Sequence, residues 1–113
     1  MKKLAIVALV LVAMSFVGCG MPSELIGTWE RTWYDGAQGE SWEFKSNNEV
    51  VYTYYVNGNV SKTVTYDCVV DGDVITLSYL EVEIYNFRYE VNGDELSLYW
   101  ASSDALQGKY KKK

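Results

Sequence analysis

Hydrophobic and polar residues alternate along most of the chain after residue 24, with the period of two that is typical of half-buried β-strands. The alternating segments are rich in Tyr, Val, Thr and Trp, and none shows a helical period over three turns. Asn-Gly and Asp-Gly pairs separate several of them, because these pairs accept the positive φ of tight hairpins. The pattern predicts eight strands: Ile26–Trp33, Glu40–Lys45, Val50–Val56, Val60–Val70, Val74–Tyr79, Val82–Val91, Glu95–Trp100 and Leu106–Lys111.

Eight sequential antiparallel strands with one apolar face can close into a small up-and-down β-barrel, which removes exposed sheet edges. A two-sheet β-sandwich is the alternative for this all-β chain. Alternation assigns large apolar side chains to the inner face of the second to seventh strands. In the first strand Trp29, Arg31 and Trp33 share a face, so either Arg31 points inward or a bulge changes the register.

Residues 1–18 have the layout of an export signal, with Lys2 and Lys3 before an apolar run that is shorter than the ~20 residues of a membrane-spanning helix. The run ends in Phe-Val-Gly before Cys19, which resembles the lipobox of bacterial lipoproteins. The resemblance implies a lipidated Cys19, a tether over residues 19–24 and a domain with a basic tail over residues 25–113. It also implies export and attachment to the outside of the cell membrane or to the outer membrane.

The segment Pro-Ser-Glu-Leu-Ile-Gly-Thr-Trp ends at Trp29 and opens the predicted strand meander. It resembles the start of the small lipocalin-like, calycin-type domains of bacterial surface lipoproteins, whose first strand carries Gly-x-Trp. The resemblance implies that Gly27 and Trp29 form a structural motif in which the Trp plugs the closed end of the barrel. The chain departs from the family in its last strand, which offers Lys109 where lipocalins commonly present an Arg against this Trp.

Charge and composition exclude several classes of function. Between Pro22 and Gly108 only four residues are basic, against all fifteen acidic ones, so nucleic-acid binding is not expected. The chain has no His, which removes imidazole bases and His metal ligands. With Cys19 lipidated, Cys68 has no disulfide partner, and its inner-face position predicts a buried, unreactive thiol. The carboxylates are expected on turns and outer strand faces. We therefore predict no enzyme activity, no cofactor and no metal site.

Strand parity places the chain start and the lysine tail at one end of the barrel and most large aromatic residues at the other. The candidate binding residues at this outer mouth are Trp33, Tyr34, Trp42, Tyr55, Tyr79, Tyr85 and Trp100. They suit a sugar ring or a flat apolar ligand, or they fill the core. Arg31 is either stacked structurally or available to a carboxylate-bearing ligand.

The predicted function is therefore that of a membrane-anchored, extracytoplasmic binding lipoprotein without catalytic activity, which contacts a small apolar molecule or a glycan. The alternative is a protein-interaction module, such as an enzyme inhibitor or a subunit of an envelope assembly. An acidic barrel suits a basic protein partner.

Overall fold

The computed structural model describes residues 20–113, so the predicted signal peptide and Cys19 lie outside the described residues. Within that range no helix is long and apolar enough to cross a membrane. The eight strands are β1 (Gly27–Trp33), β2 (Gln38–Phe44), β3 (Glu49–Val56), β4 (Asn59–Asp71), β5 (Val74–Tyr79), β6 (Val82–Asn92), β7 (Glu95–Trp100) and β8 (Leu106–Lys112). Each lies within two residues of its predicted position.

The strands form a closed barrel in sequence order, and every neighbouring pair is antiparallel. The up-and-down barrel is thus confirmed, and the sandwich alternative is wrong. The seam between β1 and β8 is short, because its ladder pairs only Trp29 with Lys112 and Glu30 with Lys111. The β1–β2 ladder, by contrast, runs from Gly27 opposite Phe44 to Trp33 opposite Gln38.

Side chains from all eight strands fill the barrel, as the alternation predicts. The fully buried ones include Phe44, Val50, Ile75, Leu77, Phe87, Leu96 and Leu98. Leu25, which precedes β1, is also fully buried and covers one end of the core. An eight-stranded barrel is just wide enough to be filled by its own side chains, and this one is filled in that way.

Trp29 lies at the closed end with 1% of its surface exposed. Its Nε1 donates a hydrogen bond of 2.9 Å to the Leu25 carbonyl oxygen. The cation against the ring is Lys112, whose Nζ lies 4.8 Å from the ring centroid and donates to the Ile26 carbonyl oxygen. The expectation of Lys109 is wrong, because alternation along β8 turns Lys109 outward, where its Nζ lies 3.9 Å from Glu95.

The chain enters the barrel at this closed end. Gly20 lines a surface groove there with residues 47–49, at the β2–β3 turn and the start of β3, and with residues 67–70 of β4. The tether is fixed to the core, since the Tyr89 hydroxyl donates a 2.8 Å hydrogen bond to the Glu24 carboxylate. The turns at 34–37, 57–58, 80–81 and 101–105 lie at the opposite end, which we call the mouth.

Replacement of Trp29 by Ala should lower the free energy of unfolding by about 3–5 kcal/mol, the usual cost of emptying the site of a large buried aromatic ring. The change also leaves the Lys112 ammonium without its ring contact. Urea or thermal denaturation measures the loss. Tyr34→Ala is the matched control, because Tyr34 is 72% exposed, and it should change stability by no more than about 0.5 kcal/mol. Equal stability of the two variants would contradict the packing of Trp29 in the closed end.

Candidate functional site at the barrel mouth

Arg31 points into the barrel and is paired with Glu40. The β1–β2 register sets the two residues directly opposite each other without a bulge. Arg31 Nε lies 2.8 Å from Glu40 Oε2, with the Glu40 side chain 8% exposed and that of Arg31 about one third exposed. The inward position of Arg31 is therefore the correct one of the two sequence-based alternatives. The expectation that carboxylates lie on turns and outer faces is wrong for Glu40, which shares the inner face of β2 with Trp42.

Two tyrosine hydroxyls complete the shell around the Glu40 carboxylate. Tyr52 on β3 donates a 2.6 Å hydrogen bond to Oε1, and Tyr110 on β8 donates one of 2.6 Å to Oε2. The Tyr110 hydroxyl also lies 3.0 Å from the side-chain amide of Gln107. Burial and the hydrogen bond to the Glu40 carboxylate raise the pKa of both tyrosines. Both hydroxyls therefore remain protonated donors, and Glu40 accepts bonds from three strands.

The Arg31 guanidinium is also stacked between aromatic rings. Its Cζ lies 5.0 Å from the centroid of Trp33 and 4.9 Å from that of Tyr110. Gly108 makes room for it, because a Cβ at that position would lie 2.5 Å from Arg31 Nη1. These contacts favour the structural role of Arg31 over a ligand-binding one, since its charge is already matched inside the barrel.

A contiguous aromatic cluster adjoins the Glu40 carboxylate through Tyr52. At its centre Trp42 is 3% exposed, with its ring centroid 4.6 Å from that of Tyr52, 6.2 Å from Tyr85 and 5.9 Å from Phe87. Tyr85 stacks on Phe87 at 5.4 Å with an interplanar angle of 14°. Trp42 Nε1 approaches the Tyr110 hydroxyl but reaches hydrogen-bond geometry with no atom of residues 20–113.

Two rings of this cluster reach the surface. Trp100 packs on Phe87 at 5.1 Å and is 39% exposed, and Tyr79 meets Tyr66 edge-on at 6.5 Å and is 47% exposed. Beside Tyr79 lies an open groove of about 570 Å³ between β4 and the β5–β6 hairpin. Its lining consists of Thr63, Val64, Thr65, Tyr66, Tyr79 and Ile84.

Arg88 fixes the mouth loop that follows Trp100. Its Nε lies 2.7 Å from Asp104 Oδ1 and its Nη1 lies 2.8 Å from Glu90, while its Cζ stacks 4.2 Å from the Tyr99 ring centroid. The hydrogen bonds to these two carboxylates raise the pKa of Arg88, and the bond to Arg88 lowers that of Glu90. The pairs are exposed and contribute little to stability, but they hold the loop beside the Trp100 ring.

The predicted mouth residues thus fall into separate groups. Tyr85 contacts the buried Trp42 directly, whereas Trp100 is joined to it through Tyr85 and Phe87, and Tyr79 through Tyr66. Trp33 is half-buried beside Arg31. Tyr34 stands apart on its turn, and Tyr55 lies on the outer face of β3, opposite Gly39, where it lines a smaller groove of about 220 Å³. Five further residues belong to the clusters at the mouth and are not among the candidate binding residues predicted from the sequence: Glu40, Tyr52, Tyr66, Phe87 and Tyr110.

Cys68 carries the one thiol among residues 20–113. Cys68 is buried, and burial raises the pKa of its thiol to about 12, which keeps it protonated. Within residues 20–113 no group of three or more Cys, Asp or Glu side chains could hold a metal ion. The half-exposed rings at the mouth present flat apolar faces with polar edges, the surface that sugar rings and planar apolar molecules require.

The buried tyrosines predict a specific alkaline transition. Their raised pKa keeps them protonated in the fold, whereas in the unfolded chain they ionise near pH 10. Their contribution to the free energy of unfolding is therefore complete below about pH 10 and is lost as the pH rises further. A single group such as Tyr110 accounts for up to about 1.4 kcal/mol per pH unit in that range.

Urea denaturation as a function of pH, with tyrosinate absorbance at 295 nm, measures this effect. Tyr110→Phe should lower stability at neutral pH and make the alkaline decline less steep, whereas Tyr34→Phe should leave the slope unchanged. If all ten tyrosines ionised in one step near pH 10 while circular dichroism still showed the folded barrel, the buried hydrogen bonds to Glu40 would be contradicted.

Comparison with known proteins does not assign this barrel to a family. No family model matches the chain. No curated protein and no solved structure matches it either. The eight-stranded antiparallel barrel is consistent with a lipocalin-like fold, and Gly27 and Trp29 occupy its closed end as that resemblance implies.

Proposed function

We propose that the protein is a membrane-anchored, extracytoplasmic binding lipoprotein that contacts a small apolar molecule or a glycan at the barrel mouth and performs no catalysis. The observation that carries the proposal is the pair of half-exposed rings, Tyr79 and Trp100, at the edge of a rigid aromatic cluster. Rings held in place by packing lose little conformational freedom when they bind a ligand. The ligand would lie against the rim, because the interior is filled.

The position of the tether supports an orientation with the mouth away from the membrane. Gly20 follows the predicted lipidation site and lies at the closed end, and Glu24 is tied to Tyr89 in the same region. Lys111 and Lys112 lie at this end as well, with Lys111 Nζ 3.6 Å from Asp94 and Lys112 Nζ 2.9 Å from the Ile26 carbonyl oxygen. Lysines beside an anionic membrane surface contribute about 1 kcal/mol each and would supplement the lipid.

The paired state of the interior charges supports binding without catalysis. Glu40 is paired with Arg31 and accepts hydrogen bonds from two tyrosine hydroxyls, so its carboxylate is fully engaged inside the barrel. The thiol of Cys68 on β4 is buried. The mouth therefore offers surfaces rather than reactive groups.

Ligand titration of the folded barrel tests the mouth. With soluble oligosaccharides and neutral planar aromatic compounds as probes, we expect a saturable change in Trp fluorescence for one of the two classes. Trp100→Ala should weaken that binding roughly tenfold, which corresponds to about 1.4 kcal/mol. Tyr34→Ala removes an exposed ring outside the cluster and should leave the affinity unchanged. Fluorescence unaffected by both classes of probe, or equal loss in the two variants, would contradict the proposal.

Replacement of Cys19 by Ser tests the anchor. The thiol is the group to which the lipid would be attached, so the variant should remain unlipidated and separate with the soluble fraction after cell lysis. Metabolic labelling with a fatty acid and membrane fractionation provide the measurement. A high-salt wash is the control for weak attachment, because it removes protein held only by the electrostatic attraction of the basic C-terminal tail. A variant that still carries lipid would refute the lipoprotein assignment.

A protein-interaction module is the second candidate, and the surface charge favours it. Of the four basic residues between Pro22 and Gly108, Arg31 and Arg88 are already engaged with carboxylates. The surface field is therefore strongly negative, which attracts basic protein surfaces and accelerates their association.

A further inference from the structure

One strand edge of the barrel is left open at the mouth. β4 extends from Asn59 to Asp71, but its ladder with β5 begins only where Asp67 lies opposite Ser78. The outer half of β4 is paired with β3 alone. An unpaired strand edge presents a row of backbone donors and acceptors to any chain that can align with it.

The backbone hydrogen bonds of β4 show which of its amide and carbonyl groups are unpaired. The Cys68 amide donates to the Asn48 carbonyl oxygen at 2.9 Å, so the backbone groups of Cys68 face β3. In an antiparallel strand successive residues point to opposite sides, so the backbone groups of Thr63 and Thr65 face away from β3. Neither residue has a ladder partner on that side among residues 20–113.

The open edge borders the apolar groove of about 570 Å³ described above. Val64 and Tyr66 line it from β4, and Tyr79 and Ile84 line it from the β5–β6 hairpin. Further large apolar side chains are exposed around it: Val60, Leu80 and Val82. Such a concentration of exposed apolar residues marks an interaction surface. The combination of backbone groups at alternate positions with side-chain space beside them fits an extended polypeptide.

The charge around the groove selects the kind of polypeptide. Glu81 and Glu83 are exposed on the β5–β6 hairpin, and Lys62 is the basic residue on the adjacent part of β4. The excess of acidic residues over the whole barrel adds to this local field. A second copy of the chain carries the same negative charge and is repelled, whereas a basic segment is attracted.

We propose that the outer half of β4 receives an extended segment of a basic partner protein, which adds to the barrel as a further strand. The segment hydrogen-bonds to the backbone of Thr63 and Thr65, places an apolar side chain in the groove beside Tyr79, and carries Lys or Arg near Glu81 and Glu83. This inference rests on the second candidate function and identifies where and how that partner binds. The small-molecule proposal does not depend on it.

Hydrogen exchange resolved at single amides tests the added strand in the full processed lipoprotein in zwitterionic detergent. The probe is the capped peptide Lys-Val-Thr-Val-Thr-Val-Lys, and its matched control carries Glu at both ends. With the Lys peptide we expect exchange at the Thr63 and Thr65 amides to slow at least tenfold. The neighbouring amides of Val64 and Tyr66, which face β3, should change little. The Glu peptide should protect none of them.

Thr65→Pro removes one open donor without touching the β3 ladder, because proline is tolerated on an edge strand where its missing N–H faces solvent. The variant should weaken binding of the Lys peptide at least tenfold. Thr65→Val keeps the backbone amide and should bind the peptide with unchanged affinity. A peptide N-methylated at alternate residues gives the same test without changing the protein. It should not bind, even if Thr65→Pro were too unstable to study.

Three outcomes would overturn the inference. They are equal protection by the Lys and Glu peptides, full affinity of the N-methylated peptide, and protection of Thr63 and Thr65 that rises with protein concentration without peptide. The last result would assign the edge to a second copy of the chain. Trp100→Ala distinguishes the two proposals, since it should weaken the binding of the small ligands roughly tenfold and leave the peptide-induced protection intact.

Discussion

The closure of this barrel depends on the buried carboxylate of Glu40. The backbone ladder of the β1–β8 seam is limited to two residue pairs next to the closed end. Above them β8 is joined to β2 through the hydrogen bond from Tyr110 to Glu40, and β1 and β3 reach the same carboxylate through Arg31 and Tyr52. A buried carboxylate without donors would cost several kcal/mol, so the four side chains specify one another. Side-chain hydrogen bonds thus close the seam where backbone pairs are lacking.

This arrangement has a consequence for function. The polar cluster and the rings around Trp42 occupy the barrel axis, and the closed end is filled by Trp29 and Leu25. A ligand that entered the interior would have to displace packed aromatic rings, each of which contributes several kcal/mol through burial. The available surface is at the rim, where Tyr79 and Trp100 are half exposed. Binding at the rim would therefore require no opening of the core.

The sequence predicts the fold well because period-two alternation and Asn-Gly or Asp-Gly turns are local signals. It predicts the site less well. The sequence indicates that Arg31 can point inward, but it does not identify the partner of Arg31. Glu40 is two residues from Trp42 and therefore lies on the same inner face of β2. The pairing depends on the turn after Trp33: once it sets Trp33 opposite Gln38, Arg31 meets Glu40. Tyr110 is harder to foresee, since it reaches Glu40 only when the barrel closes. Lys112 rather than Lys109 meets Trp29, because Lys109 points to the outer face of β8.

The two incomplete ladders of the barrel differ in a way that bears on binding. At the β1–β8 seam the short ladder is compensated by Glu40 and its donors, so a strand that added there would have to break buried hydrogen bonds. Beside the outer half of β4 the described residues form no side-chain hydrogen bond to β5, and the backbone groups of Thr63 and Thr65 have no ladder partner on that side. A strand added at this edge exchanges bonds to water for bonds to protein and breaks no pair in the barrel. The free energy of folding therefore does not oppose strand addition at β4, whereas it does at the seam.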